Sequence, residues 1–227
     1  ELPRPRAILI VSAHWEQAPI SLSATAAATP LIYDFGGFDP KFYSMQYSTP
    51  DASALSALVT SVLPDGMPVH QHASRGLDHC AWVPLKVMYP KADIPVLQLS
   101  IPTHDPATLM EIGRRLLPLR DAGVLVIGSG FLTHGLPYLR DWSTDASPPG
   151  WSVDFDLWAT EAMLRGDLDT LMDYRNRAPG MPYAHPTVEH LSPLFVALGA
   201  ASVPDSAPSV TIDGYFYGLA KRSVQIA

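Results

Sequence analysis

The feature that most constrains the fold is a run without a polar break, Ala7-Ile8-Leu9-Ile10-Val11, closed by Ser12. A strand with one wet face alternates apolar and polar residues, whereas an unbroken apolar run needs cover on both faces, as parallel sheets provide. The signature returns in Ile94-Pro95-Val96-Leu97-Gln98-Leu99-Ser100-Ile101 and in Gly123-Val124-Leu125-Val126-Ile127-Gly128-Ser129-Gly130, with residues 208–212 as a shorter candidate. Between these runs lie stretches of helical spacing, over residues 52–63, 82–89, 106–122 and 151–171. In the third, Pro106 suits a first turn and Gly123 ends the pattern. Strand and helix alternate, which predicts an α/β fold: one domain over residues 1–227, with a mostly parallel central sheet and helices on both faces.

Composition removes several function classes. With 22 acidic against 15 basic side chains, a net charge of −7 and no cluster of Lys or Arg, the chain lacks a general surface for nucleic acid or anionic membrane. No stretch approaches the roughly 18 apolar residues of a membrane span, so a cytoplasmic protein is expected. Cys80 is the one cysteine, which excludes an intramolecular disulfide and a thiolate zinc finger. The opening Glu1-Leu2-Pro3-Arg4-Pro5-Arg6 runs into the first strand without the regions of a signal peptide, and a chain lacking its natural start is expected. Twenty-three prolines and 15 glycines, dense over residues 33–50 and 142–150, imply long ordered loops of the kind that build sites.

The eight histidines carry the chemistry. His14 follows the first apolar run and His134 the third, and the carboxyl ends of parallel strands converge on one crevice where ligands bind. His79 precedes a helical segment and His190 enters another. Any one of them alone reads as a capping or core histidine; the group reads as an ion site. His70, His72, His104 and His185 lack such a context and are expected at the surface or in support of the others. Asp78, beside His79, either orients an imidazole or caps a helix. Without cysteine ligands, such a site suits Zn, Fe(II), Cu or Ni. The chain has no HExxH, GxSxG or GxxxxGK[ST], and Gly128-Ser129-Gly130 lacks the third glycine of a dinucleotide fingerprint. Ser12 and Ser129 remain conceivable nucleophiles, although Ser-Gly at a strand end is more often a tight turn. Trp15, Tyr33, Phe35, Phe38 and Trp82 are candidates for the wall of an aromatic pocket or for simple packing.

Leu2-Pro3-Arg4-Pro5, Ser12-Ala13-His14-Trp15, Asp34-Phe35-Gly36-Gly37-Phe38, Gly76-Leu77-Asp78-His79, Leu132-Thr133-His134 and Pro186-Thr187-Val188-Glu189-His190-Leu191 occur in this order. Together they resemble the LigB-type (class III) extradiol ring-cleavage dioxygenases, in the branch similar to 4,5-DOPA extradiol dioxygenase. The resemblance spans essentially the whole chain and implies one catalytic domain acting with O2 on a small aromatic diol. It implies a divalent ion, Fe(II) for ring cleavage or Zn(II) as isolated, held by His14, His134 and His190. It places His79 toward the substrate, leaves His134 as ligand or as acid and base, and assigns Asp78, Tyr33 and Trp82 to the substrate pocket. Three departures go with it: the family's opening strand with its Gly-His-Gly-Ser-Pro histidine is not in this sequence, Tyr33 stands where relatives can have His, and Cys80 stands where Gly is usual. An incomplete coordination sphere is therefore expected. Two other readings stay open at this point, a non-enzymatic Memo-type interaction protein and a zinc-dependent hydrolase on the same fold. A homo-oligomer is compatible with each.

Overall fold

A computed structural model describes residues 4–64, 66–201 and 208–226; Glu1, Leu2 and Pro3 of the opening motif lie outside the described residues. The first half of the chain forms β1 (Ala7–Glu16), β2 (Ile20–Leu22), α1 (Ser53–Val62), β3 (Val69–Gln71), α2 (His79–Met88) and β4 (Val96–Ile101). Then follow α3 (Pro106–Leu116), β5 (Val124–Ser129), α4 (Gly150–Leu164), α5 (Leu168–Met172), α6 (Tyr174–Arg177) and α7 (Ser192–Gly199). The short strands β6 (Ser209–Ile212), β7 (Tyr215–Phe216), β8 (Leu219–Ala220) and β9 (Ser223–Gln225) close the described chain.

The main sheet has the order β3-β2-β4-β1-β5. All its pairings are parallel except β2 with β4, which meet antiparallel at Leu22 and Leu99. Residues 7–13 of β1 are all buried, as the unbroken apolar run requires. Leu9 and Val11 point into the larger core with Leu55 and Val59 of α1, Leu109 and Leu116 of α3, Phe155 of α4 and Phe195 of α7. Ile8 and Ile10 point the other way, against Trp82 and Leu85 of α2. Side chains alternate along a strand, so one strand serves two cores, and helices cover both faces of the sheet.

The structure corrects four details of the sequence reading. β1 runs on through His14, which lies inside the strand rather than beyond it. Helix α2 starts three residues earlier than the spacing predicts, because the Asp78 side chain accepts from the Ala81 N–H at 3.3 Å and caps it. The stretch 151–171 divides after Arg165, where Gly166 takes φ of +66°, a left-handed conformation that ends a helix at little cost. The run 208–212 yields β6, which is wholly exposed and pairs with β9 outside the main sheet. Pro84 inside α2 leaves the Cys80 carbonyl without its helical donor, and the Ser129 hydroxyl donates to that carbonyl at 2.6 Å instead. This ties the end of β5 to the first turn of α2.

Helices α3 and α7 cross where both present glycine. A Cβ on Gly113 would stand 2.2 Å from the Val196 carbonyl oxygen, and one on Gly199 would stand 2.1 Å from that of Met110. Both obstacles are backbone, so neither can turn aside. Gly113→Ala is expected to cost about 1–3 kcal/mol by forcing the helices apart, read as a lower urea midpoint at unchanged slope. An unchanged midpoint would show that the crossing is loose.

Candidate active site

Two groups of side chains meet at the ends of β1 and β5. The first centres on Asp34, carried by the loop after β2 and partly exposed, with a side chain 24% accessible. Its two carboxylate oxygens lie 3.1 Å from His14 Nδ1 and 2.7 Å from His79 Nδ1, and it also accepts from the His79 backbone N–H at 3.1 Å. The two imidazoles stand edge to face with centroids 4.2 Å apart. A ring held through Nδ1–H by a carboxylate presents Nε2 as its lone-pair nitrogen, the arrangement of orienting carboxylate and metal-ligating histidine. Burial disfavours charge on both rings, yet Asp34 and the Cys80 thiol outweigh it, raising His14 to about 10 and His79 to about 9. Against its own burial, Asp34 is held well below the usual carboxylate range by the same two histidines.

The second group is built by close backbone approach. A Cβ on Gly128 would stand 2.4 Å from the Pro193 carbonyl oxygen, and one on Gly130 would stand 2.2 Å from that of His190. The Gly-Ser-Gly run thus lets the segment carrying His190 lie directly on the strand end. His134 stacks on His190 with centroids 3.4 Å apart and planes 13° from parallel. Glu189 Oε1 is 3.7 Å from His134 Nδ1, an electrostatic contact longer than a hydrogen bond. Burial, with the neighbouring imidazoles, lowers His190 to about 2; burial is also the main cause that lowers His134 to about 4, against the opposing pull of Glu189. His190 Nδ1 accepts from the Phe131 N–H at 3.1 Å. One lone pair cannot serve an amide and an ion together, so ligation through Nδ1 requires His190 to give up that amide.

The halves join through His14 and His190, whose centroids are 5.3 Å apart. His14, His79, His134 and His190 therefore form one cluster drawn from four separate segments. Within it His14, His79 and Cys80 bring ligand atoms within 4.8 Å of one another, as do His134, Glu189 and His190. Imidazoles with a carboxylate and a thiol form a donor set that suits a borderline divalent cation, so the residues present fit the metal that such chemistry needs.

Other expected site residues lie elsewhere. Asp78 is fully buried, and its carboxylate accepts from the Ser12 hydroxyl at 2.6 Å, from the Gln98 amide and from the cap of α2. It does not orient His79, and it is out of a substrate's reach. Trp82 is 1% exposed, with its indole N–H donating to the Ile32 carbonyl at 3.2 Å. Tyr33 packs on Trp82 and Phe35, and its hydroxyl donates to the Met45 carbonyl at 2.5 Å. Trp82 belongs to the packing beneath the site, Tyr33 is half-buried beside it, and it is Phe35 whose ring approaches His79, at a centroid distance of 5.4 Å. Ser12 and Ser129 are engaged by Asp78 and by the Cys80 carbonyl, which leaves neither as a nucleophile.

One residue escaped the sequence reading, and a second, His104, stands in support of the cluster, one of the two places expected for it. Asp34 appeared there only as part of a motif, without a role. His104 bridges Ser192 Oγ at 2.8 Å and Glu16 Oε2 at 2.6 Å. Glu16 lies two residues beyond His14 and Ser192 two beyond His190, so His104 ties together the two elements that carry those imidazoles. The order Ser-His-Glu is that of a hydrolytic triad, but Ser192 is buried and its hydroxyl also lies 3.0 Å from the Val188 carbonyl. It is a strut and not a nucleophile. His185 is also structural, buried with Nε2 donating to the Leu132 carbonyl at 2.8 Å.

An α/β sheet whose strand ends converge on clustered imidazoles defines a class of metal-dependent enzymes, and comparison with known proteins specifies it. Residues 1–223 match the family described as the catalytic LigB subunit of aromatic ring-opening dioxygenase. The 4,5-DOPA dioxygenase extradiol of Beta vulgaris is 41% identical over 201 residues, covering 87% of this chain and 74% of the relative. The protein of that name from Escherichia coli K12 is 35% identical over 230 residues, covering 99% and 83%. The crystal structure of an uncharacterized protein from Escherichia coli K12 superposes with a TM-score of 0.83 at 32% identity, covering 100% of this chain and 88% of that one. The chain belongs to the LigB family of aromatic ring-opening dioxygenases. It is an extradiol ring-cleaving dioxygenase, an enzyme that uses O2 on an aromatic substrate, which sets aside the interaction-protein and hydrolase readings. Among the described residues no helix is long and apolar enough to cross a membrane.

Because Asp34 holds two imidazoles at once, Asp34→Ala is expected to lower metal affinity by about 10–100-fold, the usual effect of losing an orienting partner. Titration of the metal-free variant with Zn(II), followed by calorimetry, measures this. Wild-type affinity would show that both rings are held by packing alone.

Proposed function

We propose that this enzyme opens the ring of a catechol-type substrate, DOPA-like or protocatechuate-like, at one divalent ion held by His14, His134 and His190. The observation that carries this reading is the cluster of four imidazoles from separate segments, two of them oriented by one carboxylate. The names of the relatives from Beta vulgaris and Escherichia coli support a DOPA-like substrate. When bound, Fe(II) supplies Lewis acidity toward two phenol oxygens and a redox route between ring and O2; Zn(II) supplies the first alone. Everything else falls to the side chains. His79, held charged with Nδ1 on Asp34, can give a proton from Nε2 as the ring opens and, once it has done so, take one from a phenol oxygen. His134, held neutral by burial, serves as ligand or as a second proton acceptor. Phe35 gives the ring of the substrate an apolar edge beside His79.

The experiment combines variants with metal analysis. After anaerobic loading with Fe(II), the protein is given DOPA or protocatechuate and air, and the yellow ring-opened semialdehyde is followed by absorbance. Fe(II) is expected to support the colour and Zn(II) not. His79→Ala is expected to retain the metal and lose turnover by about 10²–10⁴-fold, the usual worth of a general acid or base, whereas His14→Ala is expected to lose the metal itself. Equal metal loss in both variants would place His79 among the ligands. The absence of colour with any catechol would refute the substrate class.

A further inference from the structure

Cys80 is the one cysteine of the chain, a free and half-buried thiol at the second position of α2, and the ring-opening chemistry gives it no task. Its place is fixed by the start of the helix. Asp78 caps α2 through the Ala81 N–H, and the Cys80 carbonyl, which Pro84 leaves without a helical donor, accepts from the Ser129 hydroxyl at 2.6 Å. The backbone that carries the thiol is therefore anchored both to the helix cap and to the end of β5. From that position Sγ lies with one ligand nitrogen of His14 and one of His79, the three atoms all within 4.8 Å of one another.

A thiol by itself would say little, because a free cysteine is most often a small buried hydrophobe. The argument comes from its neighbours. His14 has its Nδ1 3.1 Å from Asp34, the arrangement of an imidazole oriented for a metal, and its ring is 5.3 Å from that of His190, which belongs to the other half of the cluster. These contacts mark His14 as an ion ligand without reference to the cysteine, and Sγ stands beside that ligand. A zinc–sulfur bond of about 2.3 Å and a zinc–nitrogen bond of about 2.0 Å sum to about 4.3 Å. Donor atoms within 4.8 Å of one another thus reach one ion after side-chain shifts on the order of an ångström.

We infer that Cys80 binds through Sγ the same divalent ion as His14, so that this enzyme adds a sulfur donor to its imidazoles and favours thiophilic cations such as Zn(II) over oxygen-preferring ones such as Mn(II). The inference rests on the reading of one ion at the cluster and extends its ligand set; it does not depend on ring opening. As the sulfur–metal bond forms, the S–H bond breaks and its proton passes to solvent, because the thiolate is the form that ligates.

The test reads the metal–sulfur bond directly. Metal-free protein is titrated with Co(II) anaerobically in thiol-free buffer, since a thiolate bound to Co(II) gives an intense near-ultraviolet charge-transfer absorption that imidazole and carboxylate ligands do not. Wild type is expected to bind Co(II) and develop this band, which in a chain with a single cysteine has no other thiolate source. Cys80→Ala is expected to bind Co(II) without the band. Co(II) bound by wild type with no band overturns the inference and leaves the imidazole site standing, whereas no binding of Co(II) overturns both. Should Cys80→Ala fail to fold, the wild-type spectrum alone decides. A second measurement takes the ratio of Zn(II) to Mn(II) affinity by calorimetry, expected to fall by at least about tenfold in Cys80→Ala; an equal ratio in both proteins rejects the inference. Neither measurement uses turnover, so a sulfur band in a protein that opens no catechol refutes the substrate class and keeps Cys80 as a ligand.

Discussion

The rest of the site depends on the burial of one carboxylate. Asp78 has no exposure to solvent, and a charge removed from water is tolerable only when its lone pairs are fully engaged. Its partners come from three elements: Ser12 from β1, Gln98 from β4 and the Ala81 N–H at the start of α2, with the Arg75 guanidinium 3.5 Å away. Satisfying Asp78 therefore locks two strands and a helix in one relation. Ser12 is two residues before His14 and Asp78 is one before His79, so the same lock sets the distance between those imidazoles. Asp34 then closes over both rings from a loop and fixes their orientation.

The opposite half of the site is positioned by the absence of side chains. Gly128 and Gly130 let carbonyl groups of residues 193 and 190 come within the space a Cβ would need, and β5 is thereby in contact with the segment entering α7. The two halves differ in electrostatic character. Without an ion Asp34 stabilises charge on His14 and His79, so a cation that binds His14 must displace its proton, whereas burial keeps His134 and His190 neutral, the form in which imidazole is a ligand. Proton handling beside Asp34 and cation binding across the cluster are thus compatible within a few ångströms. His104 braces the arrangement from outside, joining the far end of β1 to the N-terminus of α7.

The sequence was most legible where local chemistry leaves one choice. Unbroken apolar runs announced β1, β4 and β5, and the spacing of residues 106–122 announced α3. The three-residue strands β2 and β3 were invisible, because so short a segment carries no period. Asp78, Tyr33 and Trp82 were assigned to the substrate pocket because they stand near His79 or in a family motif. Neighbours in sequence point in different directions once a helix begins: Asp78 turns inward as its cap, and Trp82, three residues beyond His79, faces the core. The role of Asp34 was missed, and His104 was placed no more closely than surface or support, for the converse reason: His79 lies 45 residues from Asp34 and both partners of His104 lie 88 residues from it, which leaves no local signal.

By itself, then, the sequence determined the class of fold and the inventory of chemical groups, because apolar periodicity and residue type are properties of short segments. Four histidines at strand and helix ends pointed to a crevice, and the ordered motifs around them pointed to a family. The tertiary structure alone decided which carboxylate orients the imidazoles, which aromatic ring borders them and which is buried below. Those relations are set by contacts between distant segments, and what selects among them is the cost of leaving a buried polar group unpaired or a backbone too close to its neighbour. Neither cost exists until the chain has folded.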